Sequence, residues 1–240
     1  MTIRDEFEKR IIEIDLYFEI LRTIELDKPK LSAYNSNEDK QIEILFDSEK
    51  IKILRANSFL LLYNLIESTI YNSVVSIFDT ITDNQIKYFE MIEEVQKYWL
   101  NNLYKHDDKK KKATIIETFM NIANQIFNEN ISLVSNEISY GGSLDAQTIF
   151  DTAKSMKIEI GNVHRVYDKN IHGETLKNIK NKRNWLAHGE KTFAEVGDNV
   201  DFSQLNESKI QVEIFLEEYI KSVEEYIRNE AYKLVIRKNI

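Results

Sequence analysis

An arginine, an amide and an imidazole fall within six residues at Arg183, Asn184 and His188, in the stretch "KNKRNWLAHG" that ends at Gly189. Metal-free scission of an RNA strand uses such groups. The 2′-hydroxyl attacks the neighbouring phosphate, which requires a proton acceptor and donor working near neutrality, the range of histidine. It also requires fixed positive charge beside the phosphorane oxygens, which a guanidinium delivers in bidentate fashion. Asn184 can hold the scissile phosphate or the imidazole by hydrogen bonding. The products of such a reaction are a 2′,3′-cyclic phosphate and a 5′-hydroxyl, and DNA resists because it lacks the attacking group.

A helix from about Thr175 to Phe193 has to position these three side chains. At 100° per residue, Leu176, Ile179, Leu186 and Ala187 share one stripe, and Arg183 falls inside it, about 340° round from Leu176. A permanently charged group on an apolar face is costly unless a partner or a ligand anion meets it. Asn184 and His188 are four apart and stack on the flank of the stripe, so the three polar groups can converge while Trp185 points elsewhere. An R-x4-H spacing alone is weak, since an arginine paired with a buried acid and a histidine capping near Gly189 give the same pattern. Arg165 and His172 form an R-x6-H in "HRVYDKNIH", a segment that reads as a loop. The asparagine after the arginine, the helical setting and the small-residue frame "AHG" single out 183–188.

Glu67 is the second candidate. It is the only acidic or basic side chain between Arg55 and Asp79, with Tyr63 and Tyr71 four residues to either side and Ile70 and Val74 on its face. An enclosed carboxylate wants a cation. Arg183 is the expected one, or else His188, and the pair serves either as a helix–helix tie or to orient the arginine. Basic residues are the third feature. From Lys169 to Lys191 six Lys or Arg stand against two acids, a local excess of four positive charges in a chain of net charge −8. Lys177, Lys180, Lys182 and Lys191 are the candidates for tracking RNA phosphates, although surface lysines usually serve only solvation. The run Lys109–Lys112, directly after two aspartates, reads as a solvated loop.

Other chemistries find little support. There is no cysteine among the 240 residues, so disulfides and thiolate metal sites are excluded. His106 and His164 have no partner at metal-ligand spacing, and "YGGSLD" lacks the lysine and the preceding strand of a phosphate loop. No metal and no cofactor are expected. The net charge argues against broad non-specific nucleic-acid binding, so a polyanion site must be local. The opening "MTIRDEFEKR" has no apolar core of a signal peptide, and Asn57, Asn64, Glu67 and Asn72 interrupt the apolar run 56–78. That run reads as a helix buried in protein, and a cytoplasmic protein without membrane contact is expected.

One proline and six glycines favour long helices. Ile3, Phe7, Ile11, Ile14, Phe18 and Leu21 mark a helix over 3–25. A loop follows from Asp27 to Asp47, with "QIEILF" at 41–46 as a possible extended piece. Ser48 is read as the cap of a helix reaching about Asp79. A third helix starts at Asp83 or Asn84, with Phe89, Ile92, Val95, Trp99 and Leu103 facing inward. "KHDDKKKK" at 105–112 is a charged turn, and a helix over 112–128 points Ile115, Phe119, Ile122 and Ile126 to the core. "SYGGSLDAQ" breaks the chain, and Ser143 or Asp145 caps a helix to about Lys157. The last helix, from about Ser203 to Val235, repeats Val212, Leu216, Tyr219, Val223 and Tyr226. One all-α domain with a decorated middle section is the simplest account.

"KNKRNWLAHG" resembles the signature of the HEPN superfamily, helical proteins whose hallmark is R-x4-6-H with a polar residue after the arginine. "EFEKRIIEIDLYFEIL", "LLYNLIESTIYNSVVSIF" and "GGSLDAQTIF" are similar to one bacterial stand-alone subgroup, so the resemblance spans most of the chain and is weakest between about 80 and 135. It implies a single HEPN-like helical bundle over 1–240, with its core at about 48–80 and 139–236 and a helical insertion at about 81–138. It further implies a metal-independent endoribonuclease of the toxin–antitoxin or antiphage kind, acting as a homodimer whose two motifs meet at one cleft. Arg183, Asn184 and His188 would be the working set, with Glu67 in support. Two protomers would bring two histidines to one phosphate, one as base and one as acid. Other members have lost catalysis and bind RNA or a partner protein, such as an antitoxin or a nuclease subunit. The acidic balance leans towards that alternative and the intact motif towards the enzyme.

Overall fold

The computed structural model describes residues 2–26, 29–35, 37, 39–104, 112–128, 131–133, 138, 144–160 and 169–235, with the backbone alone at 104, 112–114 and 169–172. Among these residues the regular elements are helices and one hairpin. It runs α1 (Ile3–Ile24), β1 (Lys30–Asn35), β2 (Lys40–Leu45), α2 (Ser48–Asp83), a 3-10 turn (Tyr88–Glu90), α3 (Glu93–Tyr104), α4 (Lys112–Asn128), α5 (Ala146–Ser155), α6 (Lys169–Ala187), α7 (Phe193–Asp198) and α8 (Phe202–Arg228). The all-α expectation holds.

The axis of the fold is α2, whose 36 residues span about 54 Å. It touches α1, α6, α7 and α8. Its buried face runs through Phe59, Leu62, Tyr63, Ile66, Ile70, Val74, Ile77 and Ile81. The hydroxyls of Thr69, Ser73, Thr80 and Thr82 donate to carbonyls four residues back, which lets polar side chains sit in a buried helix. The apolar run at 56–78 therefore lies against protein, and no helix among the described residues is long and apolar enough to cross a membrane.

Helix starts follow local chemistry. Thr2, Thr192 and Asp201 each form a reciprocal capping box with the residue three positions on, and Asp47 and Asp145 cap α2 and α5. Asp47, not Ser48, is the cap of α2, and that helix continues to Asp83. Of the two candidates before α5, Asp145 is the cap; Ser143, the rest of the break at 139–143 and the charged turn at 105–111 lie outside the described residues. Phe89 projects into solvent from the 3-10 turn, while Ile92, Val95, Trp99 and Leu103 are buried as expected. On α4 Ile122 is buried while Ile115 and Phe119 are exposed; α3 is the helix it packs on most, and much of its apolar face lies outside the core. The last helix ends at Arg228, and Tyr232 beyond it is fully buried.

The stretch expected as a loop from Asp27 to Asp47 holds an antiparallel hairpin in which Leu31 pairs with Ile44 and Ala33 with Ile42. Alternation in "KLSAYN" puts those residues on one side, the period-two signal of a strand. Both strands are exposed over almost their whole length. A second uncovered apolar surface lies on α1. Ile12, Leu16 and Ile20 form a stripe opposite the buried one and stay 60%, 57% and 59% exposed.

Packing of α7 on α2 depends on one glycine. A Cβ at Gly197 would stand 1.9 Å from the carbonyl oxygen of Lys52. Gly197→Ala is expected to cost about 1–3 kcal/mol through overpacking, measured as a lowered midpoint in urea. Gly173→Ala is the control: a Cβ there meets nothing within 4 Å, and alanine favours the helix by about 1 kcal/mol.

Candidate active site

The motif helix α6 lies against α2, α5 and α8. It begins at Lys169, so the segment around His172 is helical rather than a loop, and it ends at Ala187 rather than at Phe193. Arg165, His106 and His164 lie outside the described residues. Leu176, Ile179 and Leu186 are buried, as the wheel requires, while Ala187 is exposed. Arg183 shares the inward stripe and is half-buried.

The guanidinium of Arg183 lies over the ring of Tyr63, its Cζ 4.4 Å from the ring centroid. One edge donor, Nη1, reaches Oδ1 of Asn184 at 3.1 Å. No carboxylate pairs with Arg183 among the described residues. Tyr63 is 1% exposed, and its hydroxyl accepts the backbone N–H of Leu144 at 2.8 Å. Burial pushes the Tyr63 phenol above its ordinary value and the Leu144 N–H pulls it down; the charges of Glu67 and Arg183 act on it in opposite senses.

Glu67 stands one turn beyond Tyr63 on α2 and is half-buried. The expected ion pair with Arg183 or His188 is not formed among the described residues. The physical reason is that the ring of Tyr63 occupies the place under the guanidinium that the carboxylate was expected to take.

His188 is the C-cap of α6. Its backbone N–H donates to the carbonyl of Asn184 at 2.9 Å, and its side chain is exposed. Gly189 follows with φ +68°, in the left-handed region that glycine enters without penalty. The N–H of Glu190 returns to the carbonyl of Trp185 and that of Gly189 to Leu186, which closes the helix in a Schellman turn. Arg183 and Asn184 are thus brought together. The imidazole of His188 is presented to solvent at the helix end, without a side-chain bond to either of them among the described residues.

The four lysines divide. Lys180 is committed to Asp145, Nζ to Oδ2 at 2.7 Å. Lys182 holds its ammonium 4.3 Å above the ring of Phe59; burial, aided by the charge of Lys191, lowers its pKa. Lys191 sits 3.8 Å over the ring of Trp185. Lys177 is exposed and borders a cleft of 740 Å³ between α5 and the first half of α6, lined also by Gln147, Phe150 and Lys154. Three of the four lysines expected to track phosphates are therefore drawn to partners within the chain.

Burial works to raise the Asp145 carboxyl, but hydrogen bonds from Lys180 and Thr148 outweigh it and hold the group below its ordinary range. The stability it contributes is full above the usual carboxylate value and is lost as pH falls through the lowered one. Asp145→Asn is expected to cost about 1 kcal/mol at pH 7, with the difference from the parent protein shrinking in melts run below pH 3.8.

Tyr63 is the residue that sequence reasoning missed. Its spacing from Glu67 was legible, but it counted only as part of an apolar enclosure. The signal available was the need for something flat and electron-rich under an arginine on a buried stripe.

No curated protein and no solved structure matches the chain. One family model does, over residues 1–232, nearly the whole length. A helical protein built on one long axial helix, with an Arg–Asn pair on the helix beside it, the chain belongs to the HEPN_MAE_28990-like HEPN family.

Proposed function

We propose that the protein is a metal-independent endoribonuclease that cuts RNA by attack of the 2′-hydroxyl on the adjacent phosphate, as a toxin or an antiphage effector. HEPN domains are often endoribonucleases. The observation that carries the reading is the state of Arg183. Its face rests on Tyr63, one edge donor is used by Asn184, and no carboxylate neutralises it among the described residues. An uncompensated guanidinium with open in-plane donors fits a phosphate in bidentate geometry. Asn184 beside it restricts the approach of that phosphate. His188, exposed at the helix end, supplies proton transfer.

One chain carries a single histidine at the motif, whereas the reaction needs a base and an acid. Two copies of the protein, each giving His188 to a shared phosphate, meet that need. Lys177 and the cleft beside it take the flanking strand, and Lys182 and Lys191 add positive potential. Glu67 stands near enough to the Tyr63 phenol for its charge to act on it, in a supporting rather than a direct role.

The test is incubation of the purified protein with single-stranded RNA in EDTA. Fragments ending in 2′,3′-cyclic phosphate, with DNA of the same sequence left intact, support the proposal. A requirement for added magnesium would overturn it. A second reading, a non-catalytic module that binds RNA or a partner protein such as an antitoxin, is favoured by the uncovered stripe Ile12, Leu16 and Ile20 on α1. Intact RNA in the same incubation selects that reading.

A further inference from the structure

We infer that Tyr63 is the positioning residue for Arg183: its ring face, rather than an acidic side chain, holds the guanidinium in the plane in which it meets phosphate. The inference rests on the nuclease reading for its consequence in catalysis. The placement itself rests on the contact between the two side chains.

The argument begins with what each possible partner would leave of the arginine. A carboxylate binds a guanidinium through its edge, consuming two of five N–H donors and cancelling the charge. An aromatic ring binds through the face, by attraction to the ring quadrupole, and leaves the in-plane donors open. At 4.4 Å from centroid to Cζ, Tyr63 binds in the second way. The bond from Nη1 to Asn184 then fixes rotation within the plane. Face and edge together determine where the remaining donors point.

The ring is itself held by burial and by its hydroxyl. Tyr63 is buried on α2, and its hydroxyl is tied to the N–H of Leu144, one residue before the Asp145 cap of α5. Asp145 in turn holds Lys180, one turn before Arg183 on α6. One phenol therefore references α2, α5 and α6 to the same point. Lys182 over Phe59, four residues before Tyr63 on α2, forms a second rung of the same kind. The contact between α2 and α6 thus includes two aromatic faces one turn apart on α2.

The experiment replaces Tyr63 by Phe, 4-fluoro-Phe and 3,4,5-trifluoro-Phe, which keep the shape of the ring and drain its quadrupole stepwise. Two quantities are read: kcat on a single-stranded RNA oligonucleotide, and the NMR resonance of the Arg183 Nε–H, which the ring current displaces. Tyr63→Phe keeps the ring but loses the hydroxyl that accepts the Leu144 N–H, so it is the reference from which the fluorinated variants are read. Across the fluorinated series kcat should fall by about tenfold, in step with the weakening quadrupole. In an Arg183→Ala background the same series should change nothing further. Tyr63→Leu should abolish the ring-current displacement. A flat series, or a decline that persists without Arg183, overturns the inference. So does an Arg183 resonance unmoved by Tyr63→Leu. Absence of RNA cleavage by the parent protein defeats the nuclease reading, and the NMR measurement still decides whether Tyr63 holds Arg183.

Discussion

His188→Ala is expected to lower RNA cleavage by about 10²–10⁴-fold, the usual worth of a general acid–base group, while circular dichroism and melting temperature stay at parent values. The second half of that expectation follows from where the residue sits. Its backbone N–H bonds to Asn184, which alanine preserves, and the left-handed position belongs to Gly189. The side chain is exposed at the helix end. Loss of activity with an unchanged melt places the histidine in the chemistry. If a dimer shares two such residues at one phosphate, mixing His188→Ala protein with parent protein should depress activity below the mixing ratio. Cleavage that survives the substitution would contradict the proposal.

Arg183→Ala should reduce kcat by about 10²–10³-fold, as expected when a preorganised donor to a developing oxyanion is removed. Arg183→Lys is the sharper variant. It retains the charge but loses the planar fork and the face that lies on Tyr63. Most of the loss should therefore remain in Arg183→Lys, with KM changing less than kcat. If lysine restores full rate, the residue works as a point charge, and neither the ring nor Asn184 matters to its function. Only modest destabilisation is expected from either change, since Arg183 is half-buried and has no ion-pair partner to strand among the described residues.

Much of the helical framework was legible from periodicity. The buried faces of α1, α2, α3 and α8 follow the three-and-four spacing of their apolar residues. Two failures have physical causes. On α4, spacing announced an apolar face but not whether anything would cover it, and Ile115 and Phe119 ended outside the core. In the hairpin, "QIEILF" marks the second strand as an extended piece, but the six residues of the first are too short a run of alternation to stand out from a loop. At the site, placing Arg183 on an inward stripe was correct because it needed only helical geometry. Naming Glu67 as its partner was not, because charge complementarity says nothing about which residue of a neighbouring helix lies at the crossing. That depends on the register between α2 and α6, which brings Tyr63 under the guanidinium one turn before the acid arrives.

The two ends of the motif tolerate insertions differently. Arg183 lies within a helix, so an extra residue upstream in α6 would swing it by about 100° off its aromatic seat. His188 lies in the closing turn, where the chain has already left helical repeat and the glycine after it accepts an unusual backbone angle. One or two residues added between Ala187 and Gly189 would lengthen the reach of the imidazole without disturbing the cation. Spacing between the two groups is therefore a tunable length, and it is tunable only on the histidine side.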